Sequence, residues 1–229
     1  MNILAMDTSG DVLSLALSSP LGTHCIDLDS GSRHSELLMQ WIDKLFISAG
    51  LGPEDLELVS CMKGPGSFTG LRIGFATAKG LSLALGIPLA AIPTLDCMAY
   101  ALSVWPGLVL PVVDAKKGCF FAAFYRGDRR LSDYMDTDPG TLLTTVDTYK
   151  SGPLEKMIIT GPGAKLFISR LEALQNRDNI FLDPHFSRGR SMELLQIVGK
   201  SYIFDNCEGI NSGPLYIRKS DAEINLGTS

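Results

Sequence analysis

The 229-residue sequence predicts an α/β protein with two similar halves. Short apolar segments bounded by turn residues, which are typical of buried strands, alternate with segments whose apolar residues recur at helical spacing. In each half an apolar strand ends at an aspartate, Asp7 or Asp114, and a short turn and a second strand follow. Alternating strands and helices favour the α/β class, and the repeated opening indicates an internal duplication with a cleft between the halves.

The first half is predicted to begin with three strands and then to alternate helices with strands. Its strand segments are short and rich in apolar residues, at residues 3–6, 12–17, 24–28, 58–62 and 87–91. Its helical segments have apolar residues three or four positions apart, at residues 35–49, 71–85 and 94–102. Gly50 and Gly86 directly follow the first two helical segments, where a glycine C-cap is expected.

The second half repeats the opening of the first, with an apolar strand, an aspartate, a short turn and a second strand. Its predicted strands lie at residues 110–113, 119–125, 157–159 and 180–182, and its predicted helices at residues 164–175 and 192–204. We assign residues 1–105 to an N-terminal lobe, residues 106–189 to a C-terminal lobe and residues 207–229 to a tail. We expect a helix at residues 190–206 to pack back on the N-terminal lobe.

The composition argues against several classes of protein. Lys and Arg number 20 against 25 Asp and Glu, and the densest basic group is Arg126, Arg129 and Arg130. Direct binding to nucleic acid depends on clustered cations and is therefore not expected. The five cysteines form no C-x-x-C pair, which is typical of a reducing compartment, and four prolines interrupt the long apolar region at residues 80–113. We expect a soluble, cytoplasmic protein without a signal peptide or a membrane span.

Asp7 and Asp114 are candidate functional residues because each ends a predicted buried strand beside a short turn. In two-lobed nucleotide-binding folds such a turn brings backbone N–H groups to a phosphate, and the carboxylate orients a metal-bound water. The predicted cofactor-binding residues are therefore Asp7, Thr8, Ser9 and Asp114. The alternative is that each aspartate only accepts hydrogen bonds from its own turn.

The segment at residues 63–70, KGPGSFTG, places three glycines and two hydroxyl residues ahead of a helix. It lacks the Gly-Lys-Ser/Thr ending of a Walker A loop and the spacing of a G-x-G-x-x-G dinucleotide loop. In the helix that follows, small residues recur every four positions at Gly70, Gly74, Ala78 and Ser82, which lets another helix approach closely. Packing inside the chain and a seam between molecules explain this pattern equally well.

The first long helix carries a wide apolar stripe that includes Leu37, Leu38, Trp41 and Leu45. Because the stripe is wider than one contact with a sheet requires, it favours a protein partner. These four residues and the line of small residues on the next helix are the predicted partner interface.

No catalytic constellation is visible in the sequence. The three histidines share no metal-ligand spacing, and no G-x-S-x-G elbow is present, so neither a metal site nor a catalytic residue is predicted. The segment at residues 32–36, SRHSE, is interpreted as the start of a helix that Ser and Glu side chains cap.

Four segments resemble the TsaB (YeaZ) family. The long glycine motif KGPGSFTGLRIG at residues 63–74 is the most specific of them, and the opening ILAMDTS at residues 3–9 is also similar. RHSE at residues 33–36 falls where a helix begins in the family, and PLYIRKSDAE at residues 214–223 resembles its tail. The resemblance is dense over residues 1–100 and scattered beyond them, except in the tail.

This resemblance implies a two-lobed fold of the actin/Hsp70/sugar-kinase type (ASKHA) with a ribonuclease-H-like core in each lobe. It also implies a heterodimer with the paralogue TsaD through two helices of the N-terminal lobe, and cooperation with TsaE and TsaC. Together these proteins install threonylcarbamoyl on the adenosine next to the anticodon (t6A) of tRNAs that read codons starting with A. TsaD holds the metal and performs the transfer, so tRNA is reached only through the complex.

The resemblance further implies that this chain is not an enzyme. Catalytic paralogues carry a His-x-x-x-His pair after the corresponding strand, and this chain has Thr94 and Met98 there, neither of which replaces an imidazole ligand. No cofactor is therefore predicted for the chain alone, and ATP or ADP is expected at the level of the complex. An open apolar seam also favours self-association, so a homodimer is an alternative state of the isolated chain.

Two functions follow from these observations. The first is an accessory, non-catalytic subunit that binds and supports TsaD. The second is an ATP-dependent phosphotransferase or hydrolase of the same superfamily that uses Asp7 and Asp114.

Overall fold

The computed structural model describes residues 1–31, 33–171, 179–201 and 212–218. The chain divides into two compact units. The first consists of Met1–Ser103 and Ser187–Pro214, and the second of Val104–Phe186 and Leu215–Ser229. The chain returns to the first unit at Ser187, slightly earlier than the predicted residue 190.

Strands and helices alternate along the described residues, as the sequence predicts. The strands are β1 (Ile3–Asp7), β2 (Val12–Ser19), β3 (Gly22–Asp29), β4 (Leu58–Gly64), β5 (Leu89–Pro93), β6 (Leu108–Asp114), β7 (Phe120–Ala122), β8 (Tyr125–Arg126), β9 (Arg129–Arg130), β10 (Met135–Thr137), β11 (Met157–Thr160) and β12 (Ile180–Leu182). The helices are α1 (His34–Ala49), α2 (Phe68–Leu85), α3 (Thr94–Tyr100), α4 (Pro139–Val146), α5 (Ala164–Leu171) and α6 (Ser191–Ser201).

The sheet of the first unit has the strand order β3-β2-β1-β4-β5. The strands β3, β2 and β1 are antiparallel neighbours, whereas β1, β4 and β5 run parallel. The sheet of the second unit follows the same plan in the order β10-β7-β6-β11-β12, with β10, β7 and β6 antiparallel and β6, β11 and β12 parallel. This repeated topology confirms the predicted α/β class and the duplicated, ribonuclease-H-like cores.

Side chains that alternate along β1 separate the two apolar layers of the first unit. Leu4 and Met6 point to the side of α1 and α2, where they meet Ile42 of α1 and Phe75 of α2 in one core cluster. Ile3 and its neighbours on the other face of the sheet pack against α3 and α6. The helix α6 therefore packs back on β1, and the predicted helical residues 202–206 lie outside the described residues.

The predicted strand at residues 119–125 is divided into β7 and β8, and β9 and α4 carry no strong sequence signal. The strands β8 and β9 form a hairpin of two residues each beside β6, and the helix α4 follows β10. The helix α4 begins where Asp138 accepts a hydrogen bond from the backbone N–H of Thr141 at 3.1 Å, and Pro139 occupies its first turn.

Among the described residues, no helix is both long enough and apolar enough to cross a bilayer.

Candidate functional site

The carboxylate of Asp7 lies at the end of β1 and is buried, with 4% of the residue exposed. Its Oδ1 accepts hydrogen bonds from the backbone N–H of Ser9 at 2.9 Å and from the Ser9 hydroxyl at 2.6 Å. Its Oδ2 accepts one from the backbone N–H of Arg190 at 3.0 Å. Burial raises the pKa of Asp7 from its ordinary value, although the bonds from Ser9 and Arg190 act in the opposite direction. Both carboxylate oxygens are therefore used by the chain itself.

The glycine loop packs directly on the turn that follows Asp7. The Thr8 hydroxyl donates to the carbonyl of Gly70 at 2.7 Å, and the carbonyl of Ser9 accepts from the Ser67 N–H at 2.7 Å. A Cβ atom at Gly66 would lie 2.5 Å from the Ser9 carbonyl oxygen, and one at Gly70 would meet the Thr8 carbonyl. The glycines are thus required for close approach of two backbone segments. They bring the glycine loop and this turn into direct backbone contact.

Arg190, directly before α6, connects Asp7 with the first turn of that helix. Its backbone N–H donates to Asp7, and its buried side chain lies near Glu193. The Arg190 side chain is 2% exposed, and its Nη1 lies 3.6 Å from Oε1 of Glu193, which also pairs with Arg188. The thiol of Cys97 donates to the Arg190 carbonyl at 3.5 Å. Burial raises the pKa of Cys97 well above its usual range, so the group is a thiol rather than a nucleophilic thiolate.

Asp114 ends β6 in the second unit and is also held by its own turn. Its Oδ1 accepts from the backbone N–H of Lys116 at 2.8 Å, and its Oδ2 lies 2.8 Å from the Lys116 ammonium. Burial alone raises the pKa of Asp114, but the hydrogen bonds and the charge of Lys116 outweigh it, so the pKa is lowered. In the structure the carboxylate of Asp114 is engaged by its own turn, and that of Asp7 by its own turn and by the N–H of Arg190. Nucleotide binding by these residues stays a prediction.

The predicted line of small residues on α2 faces the chain's own interior. A Cβ atom at Gly74 would meet the Thr8 hydroxyl, Ala78 is fully buried, and the Ser82 hydroxyl donates to the Ile87 carbonyl at 2.6 Å. Of the two explanations that the sequence left open for Gly70, Gly74 and Ala78, this arrangement is the intramolecular one. A second line of small residues lies on the opposite, exposed face of α2: Ala76, Gly80 and Ala84. The same spacing of four residues marks this second line in the sequence.

The apolar stripe of α1 is divided between core and surface. Leu38 and Leu45 are buried in the core cluster, whereas Leu37 and Trp41 are half-buried at its border. The ammonium of Lys44 lies 3.8 Å from the centre of the Trp41 ring. Large apolar side chains are exposed on both helices: Met39 and Ile47 on α1, and Phe68 and Leu83 on α2.

The remaining positions that the sequence raises in connection with metal binding lie in α3 and at the start of α1. Thr94 and Met98 are buried in α3, and the described residues contain no group of three His, Cys, Asp or Glu side chains that could hold a metal ion. The His34 ring is 2.8 Å from the Ser30 hydroxyl and 2.7 Å from the Gly10 carbonyl, so it ties α1 to the preceding loops. The expected side-chain cap is not seen at the start of α1, where Arg33 is the N-cap without a capping hydrogen bond. Ser32 lies outside the described residues.

Comparison with known proteins places these features in a family. The family model described as "TsaD: tRNA N6-adenosine threonylcarbamoyltransferase" matches residues 29–152. The tRNA threonylcarbamoyladenosine biosynthesis protein TsaB of Bacillus subtilis is 32% identical over 146 residues, which cover 62% of this chain and 63% of that protein. TsaB of Buchnera aphidicola from Schizaphis graminum is 29% identical over 188 residues, which cover 80% of this chain and 88% of that protein.

Solved structures show the same fold. YeaZ from Pseudomonas aeruginosa aligns with 94% of this chain and 99% of its own length, at a TM-score of 0.76 and 20% identity. A second structure, of an uncharacterized protein from Pseudomonas aeruginosa with similarity to peptidase YEAZ, aligns at a TM-score of 0.78 and 21% identity, over 95% of this chain and 99% of that chain. The family model covers more than half of the chain, and the predicted resemblance to the family is confirmed. The chain therefore belongs to the TsaB (YeaZ) family, whose curated members are named tRNA threonylcarbamoyladenosine biosynthesis proteins.

Proposed function

We propose that this chain acts in the biosynthesis of threonylcarbamoyladenosine in tRNA as a binding subunit that supports a catalytic TsaD subunit. The observation that carries this proposal is the state of Asp7 and Asp114, whose carboxylates are engaged by their own units. The family supplies the reaction to which the subunit contributes.

A carboxylate that positions Mg²⁺ and phosphate needs an accessible oxygen, because Mg²⁺ demands near-octahedral geometry and keeps several waters. Asp7 is buried and both of its oxygens already accept hydrogen bonds, so a metal ion would have to compete with these donors in a site closed to solvent. Asp114 is neutralised by the Lys116 ammonium. Neither arrangement supports the alternative phosphotransferase or hydrolase, and both support a subunit without catalytic residues of its own.

The exposed face of α1 and α2 supports a protein interface. The line of Ala76, Gly80 and Ala84 lets a partner helix approach the α2 backbone closely. Exposed apolar side chains flank it on both helices, Ile47 with 79% and Leu83 with 63% of the residue exposed. Such side chains are typical of the core of an interface, so we propose this face, together with the half-buried Leu37 and Trp41, as the surface that binds TsaD.

Substitution of Gly80 by leucine tests this surface. A Cβ atom at Gly80 meets nothing within 4 Å, so the leucine side chain enters solvent and leaves the fold intact. In a docked complex the same side chain would hold the partner helix away from α2. The measurement is the mass in solution of the chain mixed with TsaD from the same cell, and we expect a one-to-one complex for the wild type and separate species for Gly80→Leu.

Gly199 provides the matched control. It lies on the exposed side of α6, in the layer on the opposite face of the sheet, and a Cβ atom there also meets nothing within 4 Å. Gly199→Leu should form the complex as the wild type does. An undiminished complex with Gly80→Leu would exclude this face of α2, and no complex with the wild type would contradict the proposed function itself.

A further inference from the structure

The turn between β6 and β7 has an unusual backbone conformation. Lys116, Lys117 and Gly118 have φ angles of 62°, 53° and 87°, so three successive residues are left-handed and two of them carry long side chains. Residues other than glycine adopt this region rarely, and they persist there where the surrounding structure holds them. Backbone strain of this kind concentrates at functional positions, which makes the residues that hold the turn informative.

Two arginines from distant parts of the chain hold this turn. Arg170 of α5 donates from Nη1 to the Gly118 carbonyl at 3.0 Å, and Arg218 donates from Nη1 to the Ala115 carbonyl at 2.9 Å. Arg218 is itself fixed by two hydrogen bonds of 2.6 Å to the carboxylate of Asp136. A bidentate pair of this type is strong and sets the direction of the guanidinium. Arg218 belongs to the tail motif at residues 214–223, for which the sequence indicates no role.

The turn therefore concentrates positive charge in an acidic protein. Four cationic side chains, Lys116, Lys117, Arg170 and Arg218, meet two carboxylates, Asp114 and Asp136, whereas the whole chain has a net charge of −5. The Lys116 side chain is 82% exposed although its ammonium pairs with Asp114, and Lys117 is exposed beside it. Both lysine side chains therefore lie at the surface. The turn that carries them is held by hydrogen bonds from the two arginines to its carbonyl groups.

We propose that the turn at residues 115–118, the lysine turn, contacts the phosphate backbone of the tRNA substrate through Lys116 and Lys117. The inference rests on the proposed function, which brings tRNA to the complex. A lysine ammonium binds phosphate as a point charge and reads no base, so it suits a contact that positions RNA without selecting its sequence. Arg170 and Arg218 act as positioning residues. A two-lysine contact adds to binding that the catalytic subunit dominates, which is consistent with the acidic composition of this chain.

The test measures binding of a labelled tRNA transcript to the complex of this chain with TsaD, at several salt concentrations. Lys117→Asn removes the charge and keeps a residue that tolerates the left-handed region. Loss of one phosphate contact should weaken binding about five- to tenfold near 0.1 M salt and reduce the slope of log affinity against log salt by about one. Lys117→Arg, which keeps the charge, should restore both values. Unchanged affinity and slope for Lys117→Asn would overturn the proposal.

Lys150→Asn is the matched control, because Lys150 is another lysine of the same unit and pairs with Asp147 at 3.2 Å. We expect tRNA binding with this variant to equal that of the wild type. The variant Arg218→Gln tests the positioning role in a double-mutant cycle. It should weaken tRNA binding when Lys117 is present and have little further effect in the Lys117→Asn background, whereas equal effects in both backgrounds would assign Arg218 to general stability.

Two further measurements separate this proposal from its alternatives. If Lys117→Asn weakened binding of ADP and left tRNA binding unchanged, the turn would belong to a nucleotide and the proposal would be overturned. If no complex with TsaD formed, the proposed function would fail. Binding of tRNA to this chain alone at low salt would then test whether the lysine turn contacts tRNA. A weaker affinity of Lys117→Asn than of the wild type would then support the lysine turn, and equal affinities would overturn it.

Discussion

Gly70 and Gly80 lie in one helix, yet alanine at these two positions should change stability in opposite directions. In the interior of a helix, alanine is favoured over glycine by about 1 kcal/mol. At Gly80 an added Cβ meets nothing within 4 Å, so Gly80→Ala should stabilise the protein by up to about 1 kcal/mol. At Gly70 the same atom would overlap the Thr8 carbonyl, and a backbone atom cannot escape by changing rotamer.

The cost at Gly70 has two parts. Overpacking of this kind costs about 1–3 kcal/mol because the end of β1 and the start of α2 must separate. The separation also strains the hydrogen bond of 2.7 Å between the Thr8 hydroxyl and the Gly70 carbonyl, and leaving these buried groups unpaired costs about 1–3 kcal/mol more. After subtraction of about 1 kcal/mol for helix propensity, Gly70→Ala should destabilise the first unit by about 1–5 kcal/mol.

Urea unfolding that reports on the first unit alone provides the assay. Trp41 lies in the first unit and Trp105 in the second, so a shared Trp105→Phe background isolates the fluorescence of Trp41. The indole N–H of Trp105 has no hydrogen-bond partner among the described residues, and its removal therefore breaks no such bond. We expect the midpoint to fall for Gly70→Ala and to rise slightly for Gly80→Ala. Equal or greater stability of Gly70→Ala would refute the close approach of the glycine loop to β1.

Two other predictions concern the aspartates. Asp7→Ala leaves the Ser9 N–H, the Ser9 hydroxyl and the Arg190 N–H without their acceptor, so the first unit should lose about 3 kcal/mol or more in urea unfolding, and unchanged stability would reopen a chemical role for Asp7. The pKa values of Asp114 and Asp138 are lowered in the folded chain, by Lys116 against the effect of burial and by Thr141 respectively. Their contribution to stability is therefore present above the unfolded pKa near 3.8 and is lost as the pH falls through the folded values. Acid unfolding of the second unit below about pH 4 should become less pH-dependent in the double variant Asp114→Asn, Asp138→Asn, and an identical pH profile would contradict the assignment.

The sequence predicts the parts of the fold in which local pattern and burial agree. The sequence predicts α1 at residues 35–49 because its apolar stripe and the glycine after it mark both ends, and the helix lies at His34–Ala49. The strands β1 and β6 are continuous apolar runs that end at aspartates, and both were expected. The strands β8 and β9 have two residues each and include three arginines, so neither length nor hydrophobicity marks them.

The candidate site is less predictable because its decisive contacts are distant in sequence. Asp7 is recognisable at the end of its strand, but the N–H group that occupies its Oδ2 belongs to Arg190, 183 residues later. Helical spacing likewise identifies two lines of small residues on α2, at opposite faces of the helix. It does not indicate which line packs on β1, since both lines contain glycine and alanine. Only the position of Thr8 against Gly70 and Gly74 decides this.

The contacts of Asp7 also set an energy scale for the alternative function. To coordinate Mg²⁺ through Oδ2, the carboxylate would have to compete with the N–H of Arg190, because Oδ1 already accepts both donors of Ser9. A buried donor left without an acceptor costs about 1–3 kcal/mol. At about 1.4 kcal/mol per tenfold change, this penalty lowers metal affinity by a factor of about 5 to 140. A nucleotide-dependent mechanism at Asp7 would therefore act against the contact between Asp7 and the start of α6, whereas a binding subunit keeps this contact.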